Sequence, residues 1–312
     1  MPDTIALKTA EVALSPTKSF DGPNGKKPKR VLSPRNIMLY GTLFVAAAYY
    51  LLPLYVMIVT SLKGMPEIRM GNIFSPPMEI TFEPWVKAWA TACTGLNCDG
   101  LSRGFWNSVR ITVPSVIVSI AIASVNGYAL ANWRFKGSEL FFSILVIGAF
   151  IPYQVMIYPI VIVLREMGIY GTLTGLIIVH SIFGMPILTL LFRNYFASLP
   201  QELFKAARVD GAGFWQIFLK IMVPMSLPIF VVAMILQVTG IWNDFLFGVV
   251  FTRPEYYPMT VQLNNIVNSV QGVKEYNVNM AATILTGLVP LIVYFVSGRL
   301  FVRGIAAGAV KG

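Results

Sequence analysis

Charge is scarce in this chain. Only 12% of its 312 residues are Asp, Glu, Lys or Arg, while 56% are hydrophobic; a soluble domain carries about 25% charged residues. So few charges cannot clothe a water-exposed surface of this length, which excludes an ordinary soluble domain. Histidine occurs once, at His180, and cysteine twice, at Cys93 and Cys98. Two cysteines with no histidine nearby make no metal-ligand set. A lone His and a lone buried-segment acid, Asp244, set far apart in sequence, are poor material for an intramembrane enzyme, which needs a convergent acid, base or metal group. A basic patch interleaved with base-stacking aromatics is also missing, which excludes nucleic acid as a partner. The stretch Gly22-Pro23-Asn24-Gly25-Lys26-Lys27 superficially matches a phosphate loop but fails the G-x-x-x-x-G-K-[ST] spacing and follows no strand. The chain is therefore expected to bind no nucleotide or other cofactor itself, and not to be an enzyme.

What the chain has instead is long apolar runs. A membrane-spanning helix needs about 20 mostly apolar residues, and six segments qualify: Ile37–Leu62, Val109–Leu130, Leu140–Leu164, Leu173–Phe192, Ile221–Phe251 and Met280–Val302. They are too long and continuous for barrel strands, so the expected class is an all-α integral membrane protein with six transmembrane helices in the lipid bilayer. Pro224 and Pro228 predict a kinked start to the fifth segment, and Pro290 lies inside the sixth. With the N-terminus inside, the inner segments hold 16 of the 24 Lys and Arg, and the eight outer ones are nearly balanced by seven acids. That bias places both termini in the cytoplasm and makes the formal net charge of +10 a topology signal.

Residues 1–35 read as a disordered basic cytoplasmic tail, rich in Pro, Gly, Ser and Lys, with Lys26-Lys27-Pro28-Lys29-Arg30 either touching anionic lipid or simply resisting translocation. The apolar run that follows is too long for a cleaved signal peptide. In the outer segment 63–110, Phe82, Trp85, Val86 and Trp89 are spaced for an amphipathic helix at the interface. Cys93 and Cys98 form either a disulfide or two thiols. Polar residues inside spans are costly, which singles out Asn126, Gln154, His180, Gln237, Trp242, Asn243 and Asp244. Two readings stand for the Trp242-Asn243-Asp244 cluster: stacking and hydrogen bonding to a sugar in a substrate path, or hydrogen bonds that pack helices. Gly171-x-x-x-Gly175 is a candidate helix-packing face.

Between the fourth and fifth runs lies a polar island, 193–220. Ser198-x-x-Gln201 is a candidate capping box with Pro200 in the first turn. Leu203, Ala206, Ala207 and Asp210 recur at spacings of three and four on one face of a short helix, and Gly211 and Gly213 can turn the chain back. Such a helix suits a groove on another protein. The residues Lys205-Ala206-Ala207, Asp210-Gly211-Ala212, Phe218, Pro224 and Pro228 resemble the EAA loop of ABC importer permeases. Lys205 stands where that motif usually has Glu, with Glu202 three residues earlier. Trp242-Asn243-Asp244-Phe245-Leu246 resembles the W-N-D/E-F-L segment of carbohydrate permeases, specifically the maltose-type second permease subunit, and Phe301 to Gly312 resembles that subunit's C-terminal end. Ala92-Cys93-Thr94-Gly95, Asn126-Gly127-Tyr128 and Glu275-Tyr276-Asn277-Val278 are similar to the glucose/mannose branch.

The resemblance implies a type I ABC importer permease: a transmembrane permease domain over 36–304 with a cytoplasmic coupling helix in a loop at about 198–217, then a cytoplasmic tail over 305–312. It implies location in a bacterial inner membrane and three partners, namely a second permease subunit, an ATP-binding subunit dimer and an extracytoplasmic sugar-binding protein. ATP and Mg would be used by the partner ATPase subunits. Glu202, Ala206, Ala207, Asp210, Gly211 and Ala212 would couple to the ATPase, and Gly308, Ala309, Val310, Lys311 and Gly312 would reach its dimer interface. The implied cargo is glucose or mannose, with a disaccharide, an alpha-glucoside or a polyol as alternatives. A stand-alone secondary carrier would show internal repeats and several buried ionisable groups, and neither is evident.

Overall fold

The computed structural model describes residues 34–94, 97–133, 135–268 and 273–309, the last eleven by backbone alone. The basic run of the N-terminal tail, like Val310, Lys311 and Gly312, lies outside the described residues, while Pro34 and Arg35 already belong to the first helix. Contacts divide the chain into two units, 1–51 and 52–312. The described part of the first unit is the opening of α1 (Pro34–Ser61), whose large apolar side chains, among them Phe44, Tyr49 and Tyr50, are exposed.

The second unit is helical. After the end of α1 come α2 (Met65–Met70), α3 (Glu83–Ala90), α4 (Ser102–Asn132), α5 (Ser138–Phe150), α6 (Tyr153–Glu166), α7 (Leu173–Ser198) and α8 (Gln201–Val209). Then follow α9 (Phe214–Ile217), a π turn (Phe218–Met222), α10 (Val223–Met225), α11 (Leu227–Trp242), α12 (Leu246–Phe251), a 3-10 turn (Pro254–Tyr256), α13 (Met259–Val267) and α14 (Tyr276–Ala309). Among the described residues the only bridges are isolated, Thr94 with Asn97 and Gly171 with Thr252. Among the described residues, four helices are long and apolar enough to cross a membrane, and the bent pairs α5/α6 and Phe214–Met225/α11 raise the number to six if each pair is one span.

Proline chemistry explains the bends. Pro152 forces the preceding residue out of the helical region, and Ile151 is accordingly extended (φ −68°, ψ 125°), so α5 and α6 meet at 104°. Pro224 cannot donate to Lys220, and in this stretch the Val223 N–H reaches back five residues to Phe218. Pro228 cannot donate to Pro224, Ser226 leaves the helix, and α11 starts at 80° to the segment before it. The fifth apolar run is therefore not one helix over Ile221–Phe251. It bends at Ser226, and α11 ends at Trp242, so Asp244 lies in the α11–α12 connection rather than deep within a span.

α4 and α7 are the most extensively packed pair. Gly127 permits this: a Cβ there would stand 2.6 Å from Phe192 Cβ and 2.7 Å from Arg193 N. Hydroxyls within the bundle turn back onto their own helix, as in Ser119 to Ser115 O (2.6 Å), Ser181 to Ile177 O (2.7 Å) and Thr286 to Ala282 O (2.9 Å), which satisfies them where no water is available.

Three sequence expectations are corrected here. Trp85 and Trp89 of α3 do not sit outward at a lipid interface; they pack against the cluster of Ala88, Leu101 and Trp242, with Trp89 edge-on to Phe105 at 5.4 Å, while Phe82 and Val86 face out. Gly171 is not part of a helix-packing face. It lies before α7 with φ +80°, a turn position open to glycine. Ser198 does not cap α8; it ends α7, donating to Tyr195 O at 2.7 Å, and Pro200 occupies the N-cap position.

The close α4–α7 approach makes a prediction. Gly127→Ala overpacks this contact, at a cost of about 1–3 kcal/mol, and lowers the thermal unfolding midpoint of the purified protein. Gly148→Ala, whose added Cβ meets nothing within 4 Å, does not lower it. Equal midpoints for the two variants would refute the assignment.

Candidate functional site

Two regions along α7 carry the residues that the sequence singles out: α8, which follows its C-terminal end, and a cavity beside its residues 178–187.

At its C-terminal end stands α8. Its buried side is Phe204 and Ala207; Glu202, Leu203, Ala206, Val209 and Asp210 are exposed, Val209 at 86%. The small-residue face expected from spacing is thus split: Ala207 faces the protein, and Leu203, Ala206 and Asp210 face away. Beneath α8 lies Tyr128 of α4, fully buried, with Phe196, Phe204, Phe214, Phe218 and Trp133 around its ring and its hydroxyl donating to Phe214 O at 3.3 Å. Trp133 in turn lies edge-on to Phe204 at 5.7 Å, and the Arg208 guanidinium lies over the Trp133 ring at 5.0 Å. Aromatic pairs at such distances favour tilted and edge-on geometry.

The C-terminus of α8 closes with paired bonds from Gly211 N to Arg208 O (3.1 Å) and from Ala212 N to Ala207 O (2.9 Å), with Gly211 at φ +80°. This is a Schellman arrangement, which needs a left-handed residue where Gly211 stands. Gly213 has φ −80° and supplies no such turn. At the start of α9 the Gly213 N–H goes to Gln216 Oε1 at 2.9 Å rather than to Asp210. A carboxylate at a helix C-terminus opposes the helix dipole, so α8 gains no dipole stabilisation from Asp210. Glu202, in the first turn, has the favourable placement.

Beside residues 178–187 of α7 is a cavity of about 1150 Å³, lined by α5, α6, α7 and the segment 240–247 that joins α11 to α12. Its walls are mostly apolar, and Asn243 and Asp244 are among the few polar residues facing it. Asp244 caps α12: Oδ1 accepts from Phe247 N (3.3 Å) and Oδ2 from Gly248 N (3.0 Å), while Thr260 Oγ1 donates to the Asp244 carbonyl (2.6 Å). His180 Nε2 lies 3.7 Å from Asp244 Oδ2. Gln237 Nε2 reaches the His180 carbonyl at 3.5 Å. The fold therefore brings His180, Gln237, Asn243 and Asp244 together.

It does not bring the other candidates there. Trp242 is buried, donates Nε1 to Thr286 O at 2.9 Å and lies edge-on to Phe105 at 5.8 Å; with its faces packed it offers no stacking platform within this chain. Asn126 lines a separate apolar groove beside Trp215 and Phe218, on the α8 side. Gln154 is exposed on the first turn of α6 and does not line the cavity. Cys93 and Cys98 are joined in a disulfide. Gly308 and Ala309 form the last residues of α14 rather than a separate tail. Sequence reasoning overlooked Tyr128 and Trp133 as the seat of α8; the concentration of Phe204, Phe214 and Phe218 around the loop motif was the available signal. It also overlooked Thr260, which no local pattern links to Asp244.

The cap makes a prediction. Asp244→Ala removes both acceptors and costs about 0.5–2 kcal/mol, lowering the unfolding midpoint, whereas Asp244→Asn retains most of the stability. An unchanged midpoint for Asp244→Ala would show that α12 does not depend on the cap.

The pattern of the binding-protein-dependent transport system inner membrane component matches residues 107–307, which contain both regions. The chain is 36% identical over 285 residues to a probable ABC transporter permease protein of Pyrococcus horikoshii, covering 91% of this chain and all of that protein. It is 36% identical over 224 residues to an alpha-glucoside transport system permease protein of Rhizobium meliloti, covering 70% of this chain and 58% of the relative. In fold it is similar to a chain in the crystal structure of a bacterial ABC transporter that imports the acidic polysaccharide alginate, with a TM-score of 0.72 at 22% identity over 89% of this chain and 99% of the other. The chain belongs to the family of binding-protein-dependent transport system inner membrane components.

Proposed function

We propose that this chain is one permease half of a binding-protein-dependent ABC sugar importer, pairing with a second permease subunit in a bacterial inner membrane and carrying glucose or mannose. The observation that carries the reading is α8: a short helix whose side with Glu202, Leu203, Ala206, Val209 and Asp210 is exposed, while Phe204 and Ala207 root it in the aromatic cluster on α4. An exposed knob on a rigid root can receive a push and pass it on. The alpha-glucoside relative supports a carbohydrate cargo. The resemblance of 92–95, 126–128 and 275–278 to the glucose/mannose branch supports the finer choice.

In this reading α8 and both termini face the cytoplasm. Each of two ATPase subunits grips one coupling helix, and closure of their dimer on ATP and Mg moves α8 as a lever, with the end of α14, from Gly308 onward, reaching the dimer interface. The bundle then rocks between outward and inward access. An extracytoplasmic binding protein delivers sugar to the opposite face. There Asn243 and Asp244 offer hydroxyl-binding groups in a cavity of about 1150 Å³, and Gln237 and His180 brace them.

Two measurements test this. Asp210→Lys or Gly211→Val lowers co-purification with the ATPase and at least tenfold the binding-protein-stimulated ATP hydrolysis of the reconstituted complex, while membrane insertion persists. Gly211→Val acts by forbidding the left-handed turn, since its Cβ meets no neighbour within 4 Å. Full coupling in both variants would refute the lever. In a sugar panel with the wild-type complex, glucose or mannose stimulates hydrolysis most; stimulation by an alpha-glucoside or polyol alone would replace the cargo and keep the fold-level reading.

A further inference from the structure

At the end of α7 remote from α8, two arginines converge in a cleft that the transport reading does not use. Arg165 lies in the last turn of α6, and its guanidinium lies over the Tyr170 ring at 4.8 Å. Tyr170 is itself held, its hydroxyl donating to Val250 O at 3.0 Å. Gly168 (φ +71°) and Gly171 (φ +80°) fold the 167–172 connection tightly, and a parallel bridge joins Gly171 to Thr252. A Cβ at Gly171 would stand 2.8 Å from Arg253 Nε and 2.9 Å from its Cγ, so the bare glycine gives the Arg253 stem its resting place. Arg165, Gly168, Tyr170 and Arg253 thereby line one cleft of about 380 Å³. Among the described residues, the ion pairs are Lys87 with Glu275, Arg103 with Asp99, and His180 with Asp244, so neither arginine has a carboxylate partner within 4.0 Å.

Two guanidiniums lining one cleft make its potential positive, which favours an anion there. The direction of α6 indicates which anion. Val155, Tyr158, Ile162 and Arg165 follow one another at i, i+3, i+7 and i+10, one face of the helix, and the three before Arg165 are exposed at 67%, 73% and 41%. An exposed apolar stripe that ends in a guanidinium at the end of a bundle is suited to lipid tails below and a headgroup above. Planar guanidiniums bind phosphate oxygens in pairs.

We propose that Arg165 and Arg253 form a binding site for the phosphate of an anionic phospholipid, in the leaflet opposite the coupling helix. The Tyr170 ring orients the first arginine, and Gly171 the second. This site does not depend on the identity of the cargo.

The test uses the complete transporter in nanodiscs of phosphatidylcholine doped with phosphatidylglycerol, with co-purifying lipid counted by native mass spectrometry. The wild type is expected to retain one more phosphatidylglycerol per copy of this chain than the Arg165→Gln/Arg253→Gln double variant, and to prefer it at least tenfold over phosphatidylcholine. Arg165→Lys, which keeps the charge and loses the planar stack, retains an intermediate amount. Both arginines are exposed, and equal thermal unfolding midpoints confirm that the variants are folded. Identical lipid counts in wild type and double variant would overturn the proposal. So would saturable binding of inorganic phosphate that leaves the lipid count unchanged, or loss of binding-protein stimulation in the double variant with the lipid retained, which would assign the cleft to an acidic protein surface.

Discussion

Gly127 and Tyr128 stand where two requirements meet. The missing side chain at Gly127 lets α4 lie against the backbone of α7, and the next residue sends a fully buried ring toward the seat of α8. Around that ring are aromatic residues from α7, from α8 and from the helix that follows it. In a membrane the helices gain little from mutual apolar burial, because lipid is as apolar as their side chains. Close packing and tilted ring contacts have to hold them, and the density of the cluster under α8 is where this bundle concentrates that packing. A short helix of nine residues is marginal by itself in water; rooted on Phe204 and Ala207 it becomes a rigid projection.

The opposite end is built on a different principle. There polar groups organise the backbone: Asp244 caps α12, Thr260 holds the Asp244 carbonyl, and Trp242 bonds to Thr286 O on α14. Lys63 is buried, donating to Ser75 Oγ at 3.0 Å and to the Asn72 carbonyl at 3.3 Å, while its own carbonyl accepts from Asn277. With Lys87 and Glu275 paired at 2.6 Å, these bonds tie the connections after α1 and before α14 into one surface. Packing governs the end where force is expected to enter, and directional bonds govern the end where a soluble ligand is expected to arrive. α7 joins the two, a helical element capable of transmitting displacement between them.

The bent pairs add a physical constraint on movement. Each interruption follows from proline that removes a backbone donor or restricts its predecessor, at Pro152, Pro224 and Pro228. The break at Ser226 lies between the aromatic cluster and α11, which ends at Trp242 beside the cavity-lining Asn243 and Asp244. A displacement of α8 therefore meets a helix already interrupted, where a change of angle requires few backbone bonds to be broken.

Much of this was legible in the sequence. Scarce charge and long apolar runs predicted a helical membrane protein, because one residue in eight cannot solvate a surface and the runs match bilayer thickness. The Ala206-Ala207 and Asp210-Gly211-Ala212 spacing located the projecting helix, because a left-handed turn after a helix is a local demand that glycine meets. Which side of that helix faces the protein was not legible: Phe204 and Ala207 turn inward because Tyr128, more than seventy positions earlier, lies beneath them. Trp242 and Asp244, two residues apart, received different roles for the same reason. Local sequence marks a polar or aromatic residue in an apolar run as expensive, but only the tertiary structure supplies Thr286 for one, the α12 backbone for the other, and with them the decision as to which side chain is spent on packing and which is left facing the cavity.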